Sequence, residues 1–273
     1  MGYFYTVLVL VLSAGLWAFL RYQNNHLTLS RYVLPELGSL RIVHLSDLHG
    51  KHFGKNDEKL LKLIESLQPD IIVFTGDMVY KRNPDISRSL PFVRRAARLA
   101  PFYFVSGNHE HWNGDYEEIV RCLCETGAVS LEDRAVTLPC GVTLVGGTDG
   151  GVLPEIQGEK RAARRARVRA RMLPLKSLKG PGFNILLSHR PELTDIYNEL
   201  GFDLVLCGHA HGGQFRLPFV GAVFAPGQGL FPKYTEGLHR FPHTAMIVSR
   251  GLGGSLFPFR LFNCPEVLLL TGK

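Results

Sequence analysis

Short apolar runs that end in polar residues recur along most of this chain. Six such runs are rich in Val, Ile and Phe and are bounded by Gly or Pro, a pattern typical of buried strands. They lie within residues 40–50, 70–77, 101–110, 141–150, 183–191 and 202–213. The hydrophobic pattern therefore predicts at least six strands spread over the chain after residue 40.

Helical patterns separate several of these runs. A helix is predicted over 57–67, with Asn56 or Asp57 as its cap, because its four large apolar residues share one face. Two more helical patterns, 116–127 and 191–201, end in glycine. Strands that alternate with helices predict a layered α/β fold with a mixed or largely parallel sheet.

Residues 159–173 are unlike the other helical segments, because six arginines surround a narrow stripe of Ala162, Ala166, Ala170 and Leu173. Two interpretations are open. The segment is a solvated helix that packs through this stripe, or a basic helix that lies on an anionic membrane or steers an anionic substrate. The net charge of +7 also indicates an anionic partner, without choosing among lipid headgroups, nucleic acid and a phosphorylated substrate.

The apolar segment at residues 3–20 is longer than the others and carries no charge. A helix of roughly 20 apolar residues crosses the ~30 Å hydrocarbon core of a bilayer. No Lys or Arg precedes this run and its small residues lie inside it, which disfavours a cleaved secretory signal. We predict an uncleaved, single-pass anchor over residues 1–22. Arg21 and Arg31 follow the span and place the globular part on the cytoplasmic side of the cell membrane.

The chain of 273 residues is long enough for one large α/β domain or two modest ones. Residues 23–39 are polar and irregular and are predicted to be a linker, followed by one globular domain over residues 40–273. The five cysteines have no metal-site spacing. This cysteine usage suits a reducing compartment.

Polar residues with metal-binding side chains follow five of the predicted strands. They are Asp47 and His49, Asp77, Asn108 and His109, His189, and His209 and His211. Ligand sites of α/β sheets gather at the carboxyl ends of strands, and this donor set suits Mn, Fe or Zn. Two ions at ~3.5–4 Å separation, bridged by one carboxylate, could use the whole set. The flanking glycines, Gly208 and the Gly212-Gly213 pair, allow the last loop to curl.

The order of these residues resembles that of the calcineurin-like metallophosphoesterases. The matching blocks are Asp47-Leu48-His49, Gly76-Asp77, Gly107-Asn108-His109-Glu110, His189 and Gly208-His209-Ala210-His211. The resemblance implies a layered β-sandwich core flanked by helices. The tail at 248–267, together with 209–214, is similar to a branch of membrane-anchored bacterial phosphoesterases that includes UDP-2,3-diacylglucosamine hydrolases.

The resemblance also implies a function for each residue. The first of two divalent ions is held by Asp47, His49 and His211, the second by Asn108, His189 and His209, and Asp77 bridges them. Manganese is the first choice, with Fe, Zn or Mg as alternatives. The ions lower the pKa of a bridging water, which attacks phosphorus as hydroxide. His109 is the general acid for the leaving group and Glu110 is a candidate to orient its ring.

Single strand-end residues of these types are usually turn, cap or packing residues, and only the complete set indicates a metal centre. Five other histidines are accordingly predicted not to be ligands: His44, His52, His111, His239 and His243.

The predicted function is a two-metal phosphoesterase that hydrolyses a phosphodiester or pyrophosphate bond of a lipid-linked substrate, such as UDP-2,3-diacylglucosamine. The alternatives are a nuclease or a phosphomonoesterase that uses the same site, and a non-catalytic metal-binding scaffold. A membrane anchor disfavours nucleic acid as the partner, and the complete ligand set disfavours a scaffold.

Overall fold

The computed structural model of the chain describes residues 2–80, 85–112, 115–149, 153, 159–255, 257 and 259–273. Two six-stranded sheets form the centre of this part of the chain. In spatial order, the first sheet contains β1 (Thr28–Val33), β16 (Glu266–Thr271), β2 (Arg41–Leu45), β3 (Ile71–Thr75), β4 (Phe102–Val105) and β5 (Val129–Ser130). The second contains β14 (Gly237–Arg240), β15 (Ala245–Val248), β9 (Leu204–Cys207), β8 (Asn184–Leu187), β7 (Thr143–Gly146) and β6 (Ala135–Thr137).

Helices and two small hairpins surround the sheets. The helices are α1 (Gly2–Asn25), α2 (Glu58–Ser66), α3 (Leu90–Ala96), α4 (Asn108–His111), α5 (Tyr116–Cys124), α6 (Arg161–Met172) and α7 (Thr194–Leu200). One hairpin joins β10 (Arg216–Leu217) to β11 (Gly221–Ala222), and the other joins β12 (Phe224–Ala225) to β13 (Gly229–Leu230). All six predicted strands are present, as β2, β3, β4, β7, β8 and β9.

Most neighbouring strands run parallel, so their carboxyl ends meet at one edge of each sheet. Strands β2 to β5 are parallel in the first sheet, and β7, β8, β9 and β15 are parallel in the second. Antiparallel pairs join β16 to β2, β6 to β7 and β14 to β15. The loops that carry the predicted metal ligands therefore all leave the same side of the fold.

Three apolar layers show that the two sheets pack face to face with helices outside. Strand β3 illustrates the arrangement, because Ile71 and Val73 belong to the layer between the sheets. Ile72 and Phe74 point to the opposite face, into the layer under α2, α3 and α5. The second sheet packs its outer face on α6 and α7. The predicted fold, a β-sandwich core flanked by helices with one long apolar N-terminal helix, is confirmed.

The linker predicted over residues 23–39 is wrong, because this segment belongs to the fold. Helix α1 continues to Asn25, and β1 pairs in parallel with β16 along its whole length. Leu34 and Leu37 are buried between the sheets. Strand β1 lies at the edge of its sheet and is only partly buried, so its side chains lack the continuous apolar run that marks the central strands.

The basic helix α6 does not pack through the predicted alanine stripe. Its buried residues are Val168 and Met172, whereas Ala162, Ala166 and Ala170 are exposed. The larger Val and Met side chains remove more apolar area from water than alanine methyl groups can, and their i, i+4 spacing puts them on one face.

Four arginines of α6 pair with nearby acidic residues. The pairs are Arg165 with Asp195, Arg167 with Glu159, Arg169 with Glu199 and Arg171 with Asp133. This pairing supports the interpretation of α6 as a solvated helix rather than a membrane-binding one, because its positive charge is partly neutralised within the protein.

The start of α2 differs in detail from the prediction. Asp57 precedes the helix, but its side chain makes no cap hydrogen bond. Its carboxylate instead accepts a hydrogen bond from the Phe53 N–H at 2.9 Å and lies 3.0 Å from His52 Nδ1. Asp57 therefore stabilises the loop before the helix. The five cysteines form no disulfide bond.

Burial of His44 on β2 is expected to make the unfolding free energy of the protein depend on pH. Its ring is fully buried, with Nε2 2.8 Å from Thr75 Oγ1, and burial lowers the pKa of His44 to about 3. An unfolded histidine titrates near pH ~6.5. Below that pH the unfolded chain binds a proton that the folded chain does not, so stability falls as the pH drops from about 6.5 towards 3.

We expect His44→Leu to remove this dependence. Between pH 7 and pH 5 the unmodified protein should lose about 2 kcal/mol more unfolding free energy than the variant, measured by chemical denaturation in detergent. His243→Gln, at an exposed histidine, is the control and should follow the unmodified protein. Parallel pH curves for the unmodified and His44→Leu proteins would contradict this account of His44.

Candidate metal centre

The predicted ligands meet where the carboxyl ends of the two sheets adjoin. Asp47 and His49 follow β2, Asp77 follows β3, Asn108 follows β4, His189 follows β8, and His209 and His211 follow β9. All of these side chains are buried. The site therefore uses loops from both sheets, which is why residues more than 160 positions apart contact each other.

Two groups of ligand atoms share one carboxylate. Atoms within 4.8 Å of one another come from Asp47, His49, Asp77 and His211 in one group, and from Asp77, His189 and His209 in the other. One oxygen of the shared carboxylate, Asp77 Oδ2, lies 3.6 Å from His49 Nε2 and 3.2 Å from His189 Nε2. A carboxylate between two sets of imidazoles is the arrangement that a pair of divalent ions requires.

Backbone carbonyl groups orient two of the imidazole rings. His49 Nδ1 donates to the Val79 carbonyl oxygen at 3.0 Å, and His189 Nδ1 donates to the Thr75 carbonyl oxygen at 2.7 Å. A carbonyl oxygen only accepts, so each Nδ1 carries the hydrogen and each Nε2 faces the shared carboxylate. This second layer of contacts fixes the ring orientation that metal binding needs.

The buried charges of the site favour bound cations. Burial lowers the pKa of His49 to about 3 and the pKa values of His209 and His211 well below their usual range. These rings are neutral at physiological pH, which is the form that binds metals. Against the opposing effect of burial, the charge of Asp77 raises the pKa of His189 to about 10, so a bound cation would replace a proton there. Burial, reinforced by the charge of Asp77, raises the pKa of Asp47 to about 7. A pocket that holds two carboxylates without contact to water gains most from positive charge.

Asn108 provides a separate test of whether the residues fit a metal pair. Its side chain is buried, and among the described residues its Oδ1 has no hydrogen-bond partner. Buried polar atoms nearly always have a partner, so an amide oxygen of this kind fits a ligand position. Together with carboxylates and imidazoles it forms a donor set suited to Mn, Fe or Zn, and no single atom of the set selects one metal.

Five of the proposed ligand residues have a left-handed backbone. The φ angles of Asp47, His49, Asp77, His209 and His211 lie between 49° and 65°. Residues other than glycine rarely adopt this conformation, and such strain concentrates at functional sites where the surrounding structure enforces it. The predicted bending at Gly212 and Gly213 is present, with φ of 62° and 78°.

Glu110 connects two of the ligand-bearing loops. Its carboxylate accepts hydrogen bonds from the backbone N–H groups of Asp77 at 2.9 Å, Val79 at 3.0 Å and Gly107 at 2.7 Å. The sequence suggested that Glu110 orients the His109 ring, whereas these bonds hold the loops after β3 and β4 together. Burial raises the pKa of Glu110 to about 7, with the charge of Asp77 adding to the effect.

His109 lies at the more open side of the centre. Its side chain is 14% exposed, and its Nε2 is 3.8 Å from Asp77 Oδ2. The ring stacks on Tyr80 with 5.3 Å between centroids and contacts Trp112 at 5.2 Å. Tyr80 belongs to none of the sequence motifs, so its contact with His109 is evident only from the fold. His109 can therefore meet a bound substrate while staying close to the shared carboxylate.

A partly buried arginine also borders the centre. Arg190 Nε lies 3.0 Å from both carboxylate oxygens of Asp149, and Arg190 Nη1 lies 3.5 Å from His209 Nε2. Asp149 is thus a buried ion-pair partner, which its position after β7 did not reveal. The pair fixes a guanidinium at the edge of the site, where it can attract an anionic substrate.

Gly208 is required by close packing rather than by a positive φ. A Cβ built there would collide with Ser46 Oγ and with Asp47 Oδ2. We expect Gly208→Ala to displace the Asp47 carboxylate, remove at least half of the bound metal and lower turnover by about 100-fold. The matched control is Gly254→Ala, whose Cβ would meet the Phe257 carbonyl oxygen at 3.4 Å, an ordinary contact. Unchanged metal content in Gly208→Ala would contradict the expectation.

Comparison with known proteins gives consistent matches. The calcineurin-like phosphoesterase family matches residues 40–213. The chain is 30% identical to the uncharacterized metallophosphoesterase YkuE of Bacillus subtilis, over 96% of this chain and 91% of YkuE. It is 30% identical to the phosphodiesterase YaeI of Escherichia coli, over 84% of this chain and 81% of YaeI. The solved structure of TT1561 from Thermus thermophilus has a similar fold, with a TM-score of 0.51 at 15% identity over 78% of this chain and 90% of TT1561.

Proposed function

This chain belongs to the calcineurin-like phosphoesterases and is a metal-dependent hydrolase of phosphoesters, and we propose that it cleaves a phosphodiester or pyrophosphate bond of a lipid-linked substrate at the membrane. The observation that carries the proposal is the sharing of Asp77 by two groups of ligand atoms. The proposed ligands are Asp47, His49 and His211 for one ion, Asn108, His189 and His209 for the other, and Asp77 for both.

The chain's own residues account for the rest of the reaction. Bound divalent ions would supply positive charge to the phosphate oxygens and lower the pKa of water. His109 donates a proton to the leaving oxygen as its bond to phosphorus breaks, and such general acid catalysis is typically worth ~10²–10⁴-fold. Tyr80 and Trp112 hold the ring in position, and Arg190 attracts the anionic substrate.

Helix α1 is the proposed anchor. Its apolar window has a mean hydropathy of 2.0 and is not buried within the protein. Its last turn contacts the domain, because Gln23 Oε1 accepts a hydrogen bond from the Asn263 N–H at 3.0 Å and Lys51 donates to the Asn24 carbonyl oxygen. These contacts support a helix that is retained after synthesis. Arg21 supports a cytoplasmic position for the domain.

Two substrates with the same leaving group test the proposal. The full chain in nanodiscs, loaded with Mn²⁺, is assayed on soluble bis(p-nitrophenyl) phosphate and on the lipid diester phosphatidyl-p-nitrophenol. We expect metal-dependent hydrolysis of both, with kcat/KM at least about 10-fold higher for the lipid diester. Equal values would remove the lipid preference and leave a general phosphodiesterase. If the metal-loaded protein hydrolyses neither of these diesters nor the pyrophosphate UDP-2,3-diacylglucosamine, the proposed reaction is contradicted.

Three further assays address the alternatives. Hydrolysis of UDP-2,3-diacylglucosamine tests the most specific substrate that the sequence suggested. Faster turnover of p-nitrophenyl phosphate than of the diesters would favour a phosphomonoesterase. Cleavage of oligonucleotides with a steep salt dependence would favour a nuclease.

A further inference from the structure

A group of large apolar side chains is exposed beside α1. This apolar face consists of Phe219, Leu230, Phe231, Phe257, Phe259 and Phe262, each between 47% and 108% exposed. The residues come from the two small hairpins and from the loop before β16. Contiguous exposed apolar surface in a folded protein marks a contact with a partner or a membrane.

Contacts join the segments that carry the apolar face. Phe215, at the start of the first hairpin, packs against Phe257 with 5.0 Å between ring centroids. Gln214 Nε2 donates to the carbonyl oxygens of Phe257 at 2.9 Å and Phe259 at 2.6 Å. The second hairpin is attached through Val223, which donates its N–H to the Phe215 carbonyl oxygen at 3.0 Å. The hairpins and the loop are therefore joined to one another.

The length of α1 and its contact with the apolar face indicate how deep that face would lie relative to a bilayer. The helix has 24 residues, so it is roughly 36 Å long, slightly longer than the ~30 Å hydrocarbon core. Gln23 in its last turn is buried against the domain. Phe19, one turn earlier, therefore lies near the boundary of the lipid, and its ring is 5.5 Å from that of Phe262. The apolar face begins at this same level.

The charge of the surrounding sequence fits a lipid surface. Residues 212–235 and 249–265, which carry the apolar face, contain neither Asp nor Glu. Lys233 is exposed two positions from Phe231. The neighbouring Glu236 is paired with Arg216 and with Arg250. Aromatic side chains with nearby cations suit the headgroup region of a phospholipid bilayer.

The same loop also borders the metal centre. Tyr80, which stacks on His109, donates its hydroxyl to the Ser255 carbonyl oxygen at 3.4 Å. At the other end of the loop, Asn263 Nδ2 donates to the His211 carbonyl oxygen at 2.6 Å. A single segment thus joins the catalytic side of the protein to the apolar face.

We propose that the apolar face lies in the lipid boundary beside α1 and holds the metal centre at the bilayer surface. The phosphate of a membrane lipid then reaches the site while its acyl chains stay in the bilayer. The inference rests on the proposed anchor, because the contact between Phe19 and Phe262 determines the level of the face.

Photocrosslinking in the full chain tests this contact directly. p-Benzoylphenylalanine replaces Phe219 or Phe259 in protein reconstituted into phosphatidylcholine–phosphatidylglycerol nanodiscs, and intact-mass spectrometry identifies adducts after irradiation. Leu10 within α1 is the positive control, and Val129, an apolar residue 46% exposed on β5, is the negative control. We expect lipid adducts at Leu10, Phe219 and Phe259 and none at Val129.

The other outcomes separate the apolar face from the anchor. Adducts at Leu10 alone would overturn the lipid contact and keep the anchor. Adducts that join Phe219 or Phe259 to a second copy of the chain would overturn it in favour of a dimer interface. Absence of lipid adducts at all positions, Leu10 included, would overturn both.

A kinetic measurement gives a second test. Phe219→Ser with Phe259→Ser should lower turnover of phosphatidyl-p-nitrophenol in nanodiscs by about 10-fold and leave turnover of soluble bis(p-nitrophenyl) phosphate unchanged. Val129→Ser is the matched control. Unchanged turnover of the lipid diester, or equal losses on both substrates, would contradict the proposed contact.

Discussion

Asp77→Asn is expected to abolish most phosphodiester hydrolysis, with a loss on the order of 10³-fold, and to release bound metal. Asparagine keeps the shape of the side chain but removes the charge that two ions would share. Asp77 Oδ2 lies within 3.2–3.8 Å of the nitrogens of three histidines, His49, His109 and His189. The variant therefore affects both ligand groups at once. Elemental analysis and turnover of bis(p-nitrophenyl) phosphate measure the two effects.

Asp57→Asn is the matched control for this variant. Asp57 is also a buried aspartate, but it bonds to Phe53 and His52 outside the metal centre. The control should retain its metal and its turnover even if it lowers stability. Full activity in Asp77→Asn would contradict the bridging function.

His109→Gln is expected to lower turnover by ~10²–10⁴-fold while metal content stays the same. The loss should depend on the leaving group. A p-nitrophenolate leaves readily without a proton, whereas an alkoxide needs one. The variant should therefore lose at least about 10-fold more activity on an alkyl diester than on bis(p-nitrophenyl) phosphate, measured by single-substrate kinetics.

His111→Gln is the control for the general acid, because His111 lies on the same short helix. Its ring bonds to Ser106 Oγ at 2.6 Å and stacks on Tyr116. In this control, the ratio of turnover on the alkyl diester to turnover on bis(p-nitrophenyl) phosphate should be the same as in the unmodified protein. Equal losses of His109→Gln on both diesters would assign His109 a positioning function instead.

The candidate site could be predicted where a residue with a metal-binding side chain comes directly after a predicted strand. Asp47, Asp77 and His209 each follow a buried apolar run, and parallel strands bring their ends together whatever the intervening sequence. Gly208 could be singled out as a loop residue, but its close approach to Asp47 depends on a contact between two sheets.

Other parts of the site depend on contacts that the sequence does not record. Tyr80 and Ser255 are 175 positions apart, and Asn263 meets His211 across 52 positions. Neither contact involves a motif or a periodicity. Strand β1 was missed for a related reason, because a partly buried edge strand does not alternate cleanly between apolar and polar residues.

The apolar face also could not be predicted from the sequence. The richness of the last quarter of the chain in Phe and Pro is evident from sequence, but composition does not distinguish core residues from exposed ones. Within the described part of that quarter, the structure leaves Phe215 partly buried and exposes Phe219 and Phe259. Only the fold shows that the segments carrying these rings contact each other and that Phe262 lies beside α1.

Metal stoichiometry of the full chain tests the central claim most directly. Protein purified without chelator and offered manganese, iron and zinc together is freed of loose ions and measured by elemental analysis, with its folded state checked by circular dichroism. We expect two tightly bound divalent ions per chain and phosphodiesterase activity that rises with their content. Well-folded protein that retains no tightly bound ion under these conditions would contradict the account.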